Sequence, residues 1–314
     1  MKALQIRQYG GSDVLELNSN APSPNAGKEH VVVKVHAASI NPIDWKIRQG
    51  YLKEQLPLTL PAILGGDFSG VVSELGGSNS NLKVGDIVYG YGSPFSGGYG
   101  SFAESVAAIP STVARKPQKV SVQEAAALPL VGVSALQALE EHLKLQPGQK
   151  LLIHGGGGGI GSLAIQMAKS IGAYVATTAT GDDMEYVRKL GADQVIDYKS
   201  EAFETKVEEF DAAFDTVGGA TTNKTLQVLR RGGSLVSMLG QPDEAHAQKH
   251  EVTATGQFTQ VTTGRLTRLA ELIDGGGIKI RIDKVFSLDK GKEAFQHAEE
   301  GRPKGKVIFE IQTR

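Results

Sequence analysis

Up to about residue 120 the apolar positions come in short β-branched runs, at 31–35 (VVVKV), 68–74 and 86–89, separated by clusters of Gly, Ser and Asn. Runs of this length bounded by turn residues predict strands, and 90–100 (GYGSPFSGGYG) reads as a loop by composition. At Ser121 the pattern changes. Ser121 and Glu124 make an S-x-x-E capping box ahead of an alanine-rich stretch, which predicts a helix start. Beyond it two kinds of segment alternate. Strands are expected at 150–154, 174–179, 195–198, 212–217 and 234–239, and helices at 162–171, stopped by Gly172, and 182–190, stopped by Gly191. Such alternation implies βαβ units and a parallel sheet, an α/β fold of the doubly wound Rossmann type. After Thr263 there remain an amphipathic helix (266–273), a strand-like run (278–286), a helix from Asp289 and a final strand (306–311). A doubly wound sheet offers these tail strands no place, so they are expected to return to the N-terminal half.

Composition narrows the function classes. A chain of 314 residues has room for two domains, each with its own core. The net charge is −1 and no basic stripe occurs, so nucleic acid is not an expected partner. With no Cys there are no disulfides, no catalytic thiol and no zinc site built on thiolates. The opening MKALQIRQYGG lacks the apolar core of a signal peptide, and no apolar stretch is long enough to span a bilayer. The expectation is a soluble cytoplasmic protein without membrane association.

The most specific chemical signal is LLIHGGGGGIGSLAIQMAK, which puts Gly156, Gly158 and Gly161 in G-x-G-x-x-G register between a strand and a helix. That order supplies a tight turn, room for a pyrophosphate against the backbone, and a small residue where helix meets strand. The helix N-terminus adds unpaired N–H groups and a positive dipole end. A flexible glycine hinge would explain the glycines but not their flanks, so dinucleotide binding is the expectation. Sites that prefer NAD carry an acid at the end of the second strand. Here that strand ends Thr177-Thr178-Ala179-Thr180, whose hydroxyls tolerate a 2′-phosphate. Asp182 and Asp183 follow and cut the other way, although acids in a first helical turn are favoured by the dipole alone. NADPH is therefore favoured over NADH.

Taken together, the segments 37–50 (AASINPIDWKIRQG), 65–76 (GGDFSGVVSELG), 84–90 (VGDIVYG), 124–139 (EAAALPLVGVSALQAL), 153–161 (IHGGGGGIG), 190–198 (LGADQVIDY) and 305–311 (GKVIFEI) resemble the medium-chain dehydrogenase/reductase superfamily. Within it the chain is most similar to the zinc-free quinone oxidoreductases and enone (alkenal) reductases. The resemblance implies a GroES-like β-rich catalytic domain over 1–120, completed by 264–314, and a Rossmann dinucleotide-binding domain over 121–263. It further implies pyrophosphate contacts around Gly159 and Ile160, a 2′-phosphate among Thr178, Thr180 and Tyr198, and a nicotinamide near Ser134, Leu239 and Gly240. Relatives that carry a Lys early in the helix after the second strand use it as a phosphate clamp; Asp183 stands there in this chain. A homodimer is implied as well. Zinc-dependent members keep a Cys before the N-P pair, a G-H-E motif and a four-Cys lobe. This chain has Ser39-Ile40-Asn41, Gly65-Gly66-Asp67 and no Cys, so no metal is expected.

Reducing a quinone or an α,β-unsaturated carbonyl without metal requires a hydride donor, a fixed group for the developing enolate oxygen, and a proton. NADPH is the donor. Lys46 and Asn41, in the segment that lines the pocket of relatives, are the candidates for the oxygen, with Asp44 expected to influence the orientation or charge of Lys46. A surface lysine and a simple Asn-Pro turn are the plain alternatives, and Asp67 could merely bond backbone N–H groups. Tyr91, Phe95 and Tyr99 could wall a substrate pocket or pack their own loop. Two other functions stay open: an NADPH-binding protein without catalysis, and a zinc-free ketone or aldehyde reductase.

Overall fold

The computed structural model describes residues 1–77, 81–95, 99–301 and 303–312, so 96–98 of the expected 90–100 loop lie outside the described residues. The chain divides into two compact units, Met1–Leu130 with Val261–Gly276 and Ile280–Arg314, and Val131–Gln260 with Gly277–Lys279.

The N-terminal stretch forms β1 (Ala3–Ile6), β2 (Leu15–Asn18), β3 (Val31–Ile40), α1 (Pro42–Arg48), β4 (Ala62–Ile63), β5 (Asp67–Leu75), β6 (Ile87–Tyr91), β7 (Ser105–Ala108), β8 (Val113–Arg115) and α2 (Val122–Ala126). The VVVKV run seeds β3, which continues to Ile40 by pairing antiparallel with β5 across register shifts at Val32/Val33 and Val35/Ala37. Such irregularities bend a strand and raise its twist. In α1 Pro42 stands at the first position and Asp44 at the third, a start signal contained in N-P-I-D. The Ser121 capping box forms, Glu124 N–H donating to Ser121 Oγ (3.1 Å) and Ser121 N–H to Glu124 Oε2 (2.8 Å). The alanine-rich helix it opens is nevertheless short: α2 ends at Ala126 and α3 (Pro129–Leu136) begins anew at a proline, whose missing N–H cannot continue a helix.

The second unit runs through β9 (Lys150–His154), α4 (Gly159–Ile171), β10 (Tyr174–Ala179), α5 (Asp182–Lys189), β11 (Gln194–Asp197), β12 (Phe210–Asp215), α6 (Ala220–Thr225), β13 (Leu229–Ser237), α7 (Glu244–Lys249) and β14 (Thr253–Gly256). Its six strands are all parallel, in the order β11-β10-β9-β12-β13-β14. The central strands are buried on both faces, as Leu151, Leu152, Ile153, Ala213 and Phe214 show, which is why they read as unbroken apolar runs. Strand order reverses between β9 and β12, and sheets of this kind bind ligands at the carboxyl ends beside that reversal.

The remaining chain supplies α8 (Thr263–Gly275), β15 (Ile282–Ser287), α9 (Gly291–Glu300) and β16 (Lys306–Glu310). The tail strands do return: β16 pairs antiparallel with the second half of β3, Val307 opposite Ile40, and β15 runs parallel to β16. They complete a sheet of order β15-β16-β3-β5-β6-β8, with β7 on the first half of β3. Phe102 stacks edge-on against both Phe295 and Phe309 (ring centroids 5.8 and 5.0 Å), tying the tail into the first unit's core. Among the described residues no helix is long and apolar enough to cross a membrane.

Candidate functional site: a glycine turn and a buried polar cluster

In the second unit the chain leaves β9 through Gly155, whose φ of +77° suits glycine. Gly155 N–H donates to Thr178 Oγ1 (3.2 Å) and Gly156 N–H to the Thr178 carbonyl (3.1 Å), so β10 holds the turn down. Three glycines have three physical roles. A Cβ on Gly156 would lie 2.2 Å from Thr177 Oγ1, and one on Gly161 would lie 2.3 Å from the Gly155 carbonyl. At Gly158, the N-cap of α4, a Cβ would meet only the Gly155 carbonyl at 3.3 Å. The first and third positions are closed by protein, whereas the second, though a Cβ there would press on that carbonyl, is exposed to solvent. Directly beyond it lies the first turn of the 13-residue α4, where Gly159 and Ile160 have N–H groups that no intrahelical carbonyl can take. The cradle suits a pyrophosphate.

Beside this turn opens a cleft of about 680 Å³ lined by, among others, His154, Gly155, Thr178, Tyr198, Lys199 and Lys224. Its hydroxyls are unequal. Thr178 is buried, its Oγ1 occupied by Gly155 N–H and within 3.3 Å of His154 Nδ1. Ser200 Oγ donates to the Asp197 carboxylate (3.0 Å), and the nearby Thr180 hydroxyl helps hold that carboxyl below its usual range. Thr178 therefore braces the cleft. Tyr198 is exposed. Lys199 lines the cleft with no ion pair among the described residues, while Lys224 is bound to Glu204 (2.6 Å). Lys199 was not among the sequence candidates, because a lysine after a strand carries no pattern. Asp183 lies at the turn itself, where a Cβ on Gly157 would come 2.7 Å from its Oδ2. His154 is pushed down to about 4 by burial and stays a neutral bridge, its Nε2 2.9 Å from Thr225 Oγ1.

The three residues expected near a nicotinamide belong to the same unit. Leu239 is half-exposed and Gly240 has a φ of +111°. Ser134 is fully buried, with its Oγ 2.7 Å from Thr259 Oγ1 and its carbonyl accepting from Gln257 Nε2 (3.0 Å).

In the first unit the ends of β3, β5 and β16 enclose a polar cluster. Asp67 is fully buried and accepts from Ser39 Oγ (3.0 Å), Asn41 Nδ2 (2.8 Å) and Leu130 N–H (2.9 Å). Lys306, almost fully buried, donates to the Ile40 carbonyl (3.0 Å) and to Asn41 Oδ1, with Asp67 Oδ2 3.8 Å away. Burial pushes Asp67 up and Lys306 down, and their mutual attraction opposes both shifts. Burial also pushes the Asp44 carboxyl up to about 7, against the bond it accepts from Asn41 N–H (2.7 Å). The Tyr91 ring lies over Gly66, where a Cβ would come 2.2 Å from it. Phe95 and Tyr99 pack on the hydrophobic core.

Of the catalytic candidates, the structure gathers Asn41 and Asp44 but not Lys46. Asn41 is fully buried with both ends of its amide engaged. Asp44 turns back onto the start of its own helix, accepting from Asn41 N–H (2.7 Å), so any influence on Lys46 passes through α1; no ion pair joins the two among the described residues. Lys46 stays partly exposed on α1. The far end of α1 is fixed by Arg48, fully buried, bidentate to Glu299 (2.7 and 3.1 Å) and bonded to the Gly10 carbonyl. Lys306 was missed as well, although a single Lys opening the apolar run KVIFE is a visible anomaly.

Residues 27–118 match the alcohol dehydrogenase GroES-like domain family, and residues 190–309 match a family described as zinc-binding dehydrogenase. The chain is 38% identical to a 2-methylene-furan-3-one reductase of Solanum lycopersicum, over 98% of this chain and 79% of that protein. It is 35% identical to an NADPH-dependent alkenal/one oxidoreductase of Arabidopsis thaliana, again over 98% of this chain and 79% of the relative. Among solved structures it resembles the quinone oxidoreductase from Coxiella burnetii with a TM-score of 0.88 and 36% identity, covering 99% of both chains.

Proposed function

Because this chain belongs to the medium-chain dehydrogenase/reductase superfamily, we propose that it is an NADPH-dependent, zinc-free reductase of quinones or α,β-unsaturated carbonyls. The observation that carries the cofactor assignment is the open side of the Gly158 turn at the first turn of α4, beside the point where strand order reverses. When bound, the nicotinamide would supply a hydride for the β-carbon of an enone or for a quinone. Gly159 and Ile160 offer N–H groups to the pyrophosphate. Leu239 and Gly240 border the nicotinamide, with the fully buried Ser134 supporting that wall through Gln257 and Thr259. Tyr198 and Lys199 face the 2′-phosphate, with Thr178 and Thr180 beside them at the end of β10. Asp183 beside Gly157 weakens that preference without reversing it, since a cation is present in the cleft.

The zinc that one matched family's description implies does not fit these residues. There is no Cys. No group of three or more His, Asp or Glu side chains able to hold a metal occurs among the described residues. Where the N-P and G-G-D segments meet, the Lys306 ammonium sits against Asn41 and Asp67 and repels a second cation. Carbonyl polarisation is therefore assigned to the Lys46 ammonium, which is partly exposed and has no ion pair among the described residues. Asn41 and Asp44 hold its helix, and water returns the proton to the α-carbon. The protein is taken to be cytoplasmic and to dimerise along an edge strand of the parallel sheet, β11 or β14.

Purified protein offered NADPH or NADH with a short alkenal, a simple enone or a quinone tests the reading. Turnover with NADPH is expected, and the ranking of acceptors separates quinone from enone chemistry. NADPH binding without oxidation by any acceptor would leave a non-catalytic role instead.

A further inference from the structure

Lys306 is a cation placed where burial disfavours one, and nothing in the proposed chemistry uses it directly. Its surroundings show what it does. Ile40 and Asn41 come from the end of β3, Asp67 from the start of β5 and Lys306 from the start of β16. The ammonium donates to the Ile40 carbonyl and to Asn41 Oδ1 and lies 3.8 Å from Asp67 Oδ2. Asn41 then has only one workable amide orientation. Its oxygen faces the ammonium and its Nδ2 faces the Asp67 carboxylate (2.8 Å); turning it over would set NH₂ against NH₃⁺ and oxygen against carboxylate. The backbone N–H of the same Asn41 is held by Asp44 (2.7 Å), so the amide's position is passed to the first turn of α1. The last turn of α1 is fastened through Arg48 to Glu299 on α9. Both ends of the helix that carries Lys46 are thus fixed by residues of the chain's last segment.

We propose that Lys306 is a positioning residue of the reductase: its ammonium is an internal cation that orders Asn41 and Asp67 and thereby sets the first turn of α1 and the placement of Lys46. The inference rests on the reductase reading for its catalytic consequence, but its structural part stands independently. Lys306 does not touch the substrate; it acts through Asn41.

The test compares Lys306→Met with the intact chain in three readouts: kcat with an enone, affinity for 2′,5′-ADP, and amide hydrogen exchange. Lys306→Met should lower kcat by about 100-fold, the scale of a misplacement of about 1 Å in a reacting group. Exchange should rise in residues 42–50 and stay unchanged in Gly159–Ile171, and 2′,5′-ADP should bind as before. Wild-type kcat, or unchanged exchange in 42–50, overturns the proposal. If Lys306→Met does not fold, the double variant Asp67→Asn/Lys306→Met, which removes both buried charges, is expected to fold and to keep the loss of kcat. A double variant with restored kcat shows that the lysine only neutralises Asp67, and one that also fails to fold makes it a folding determinant; either overturns the positioning role. If the intact chain reduces no quinone or enone, the functional reading falls, and the exchange comparison alone decides whether Lys306 orders α1.

Discussion

Gly158 leaves room at a strand end for atoms that are not protein, whereas Asn41, Asp67 and Lys306 fill theirs completely. The glycine turn works by omission: two glycines let backbone and side chains close in, and the third keeps one face clear. Its polarity comes from backbone N–H groups and a helix dipole, which need no titratable side chain. The polar cluster works by enclosure. Its charges are buried and mutually satisfied, so its energy is spent on fixing geometry. A site that receives a large anionic cofactor must be open and pre-ordered. A site that presents one reactive lysine can be solid beneath it. That difference predicts that damage to the first region is read in cofactor affinity and damage to the second in turnover.

The largest effect is expected at Gly161. Gly161→Val sets a side chain against the Gly155 carbonyl, 2.3 Å from where its Cβ would stand, and should abolish 2′,5′-ADP binding in calorimetric titration while the first unit stays folded. Normal binding by this variant would break the comparison at once. Next comes Lys46→Met, expected to lower kcat by about 100-fold, as for loss of one oxyanion donor, with 2′,5′-ADP affinity unchanged. A loss confined to KM would place Lys46 in substrate binding alone.

The fold was largely legible, because fully buried parallel strands and glycine stops leave strong signals: 150–154 and 174–179 are the strands the apolar runs predict, and Gly172 ends α4. The return of the tail was legible by exclusion. The interruption between α2 and α3 was not foreseen, although Pro129 announces it. The site was legible only where chemistry follows local order. The glycine turn is contiguous, so its spacing states its purpose. The polar cluster joins residues 41, 67 and 306, and nothing local says that a lysine in the last strand will meet Asn41. Thr178 and Thr180 stand where the sequence puts them, at the end of β10, but only the structure shows that the Thr178 hydroxyl already accepts Gly155 N–H and that Thr180 sits near the Asp197 carboxylate.

Two smaller effects sharpen the contrast. Lys199→Ala should weaken NADPH binding about 10-fold, the worth of one charge-assisted contact, and leave NADH unchanged. Equal weakening of both would move Lys199 away from the 2′-phosphate. The last effect concerns pH. Asp44 is raised from 3.8 to about 7 when folded, so the folded chain holds that proton more tightly than the unfolded chain. Its contribution to stability is therefore full below pH 3.8, declines as pH rises toward about 7, and is constant above. Asp44→Asn, which keeps an oxygen for Asn41 N–H, should flatten this decline by about 1–3 kcal/mol in urea unfolding between pH 5 and 8. An unchanged slope would assign the decline to other groups.

The most direct test of the central claim, a reductase that takes NADPH at the glycine turn and works without zinc, is NADPH oxidation by chelator-treated protein with an enone or quinone acceptor. The account predicts turnover that is the same before and after chelation and is not raised by added zinc. Turnover that chelation abolishes and zinc restores would contradict it.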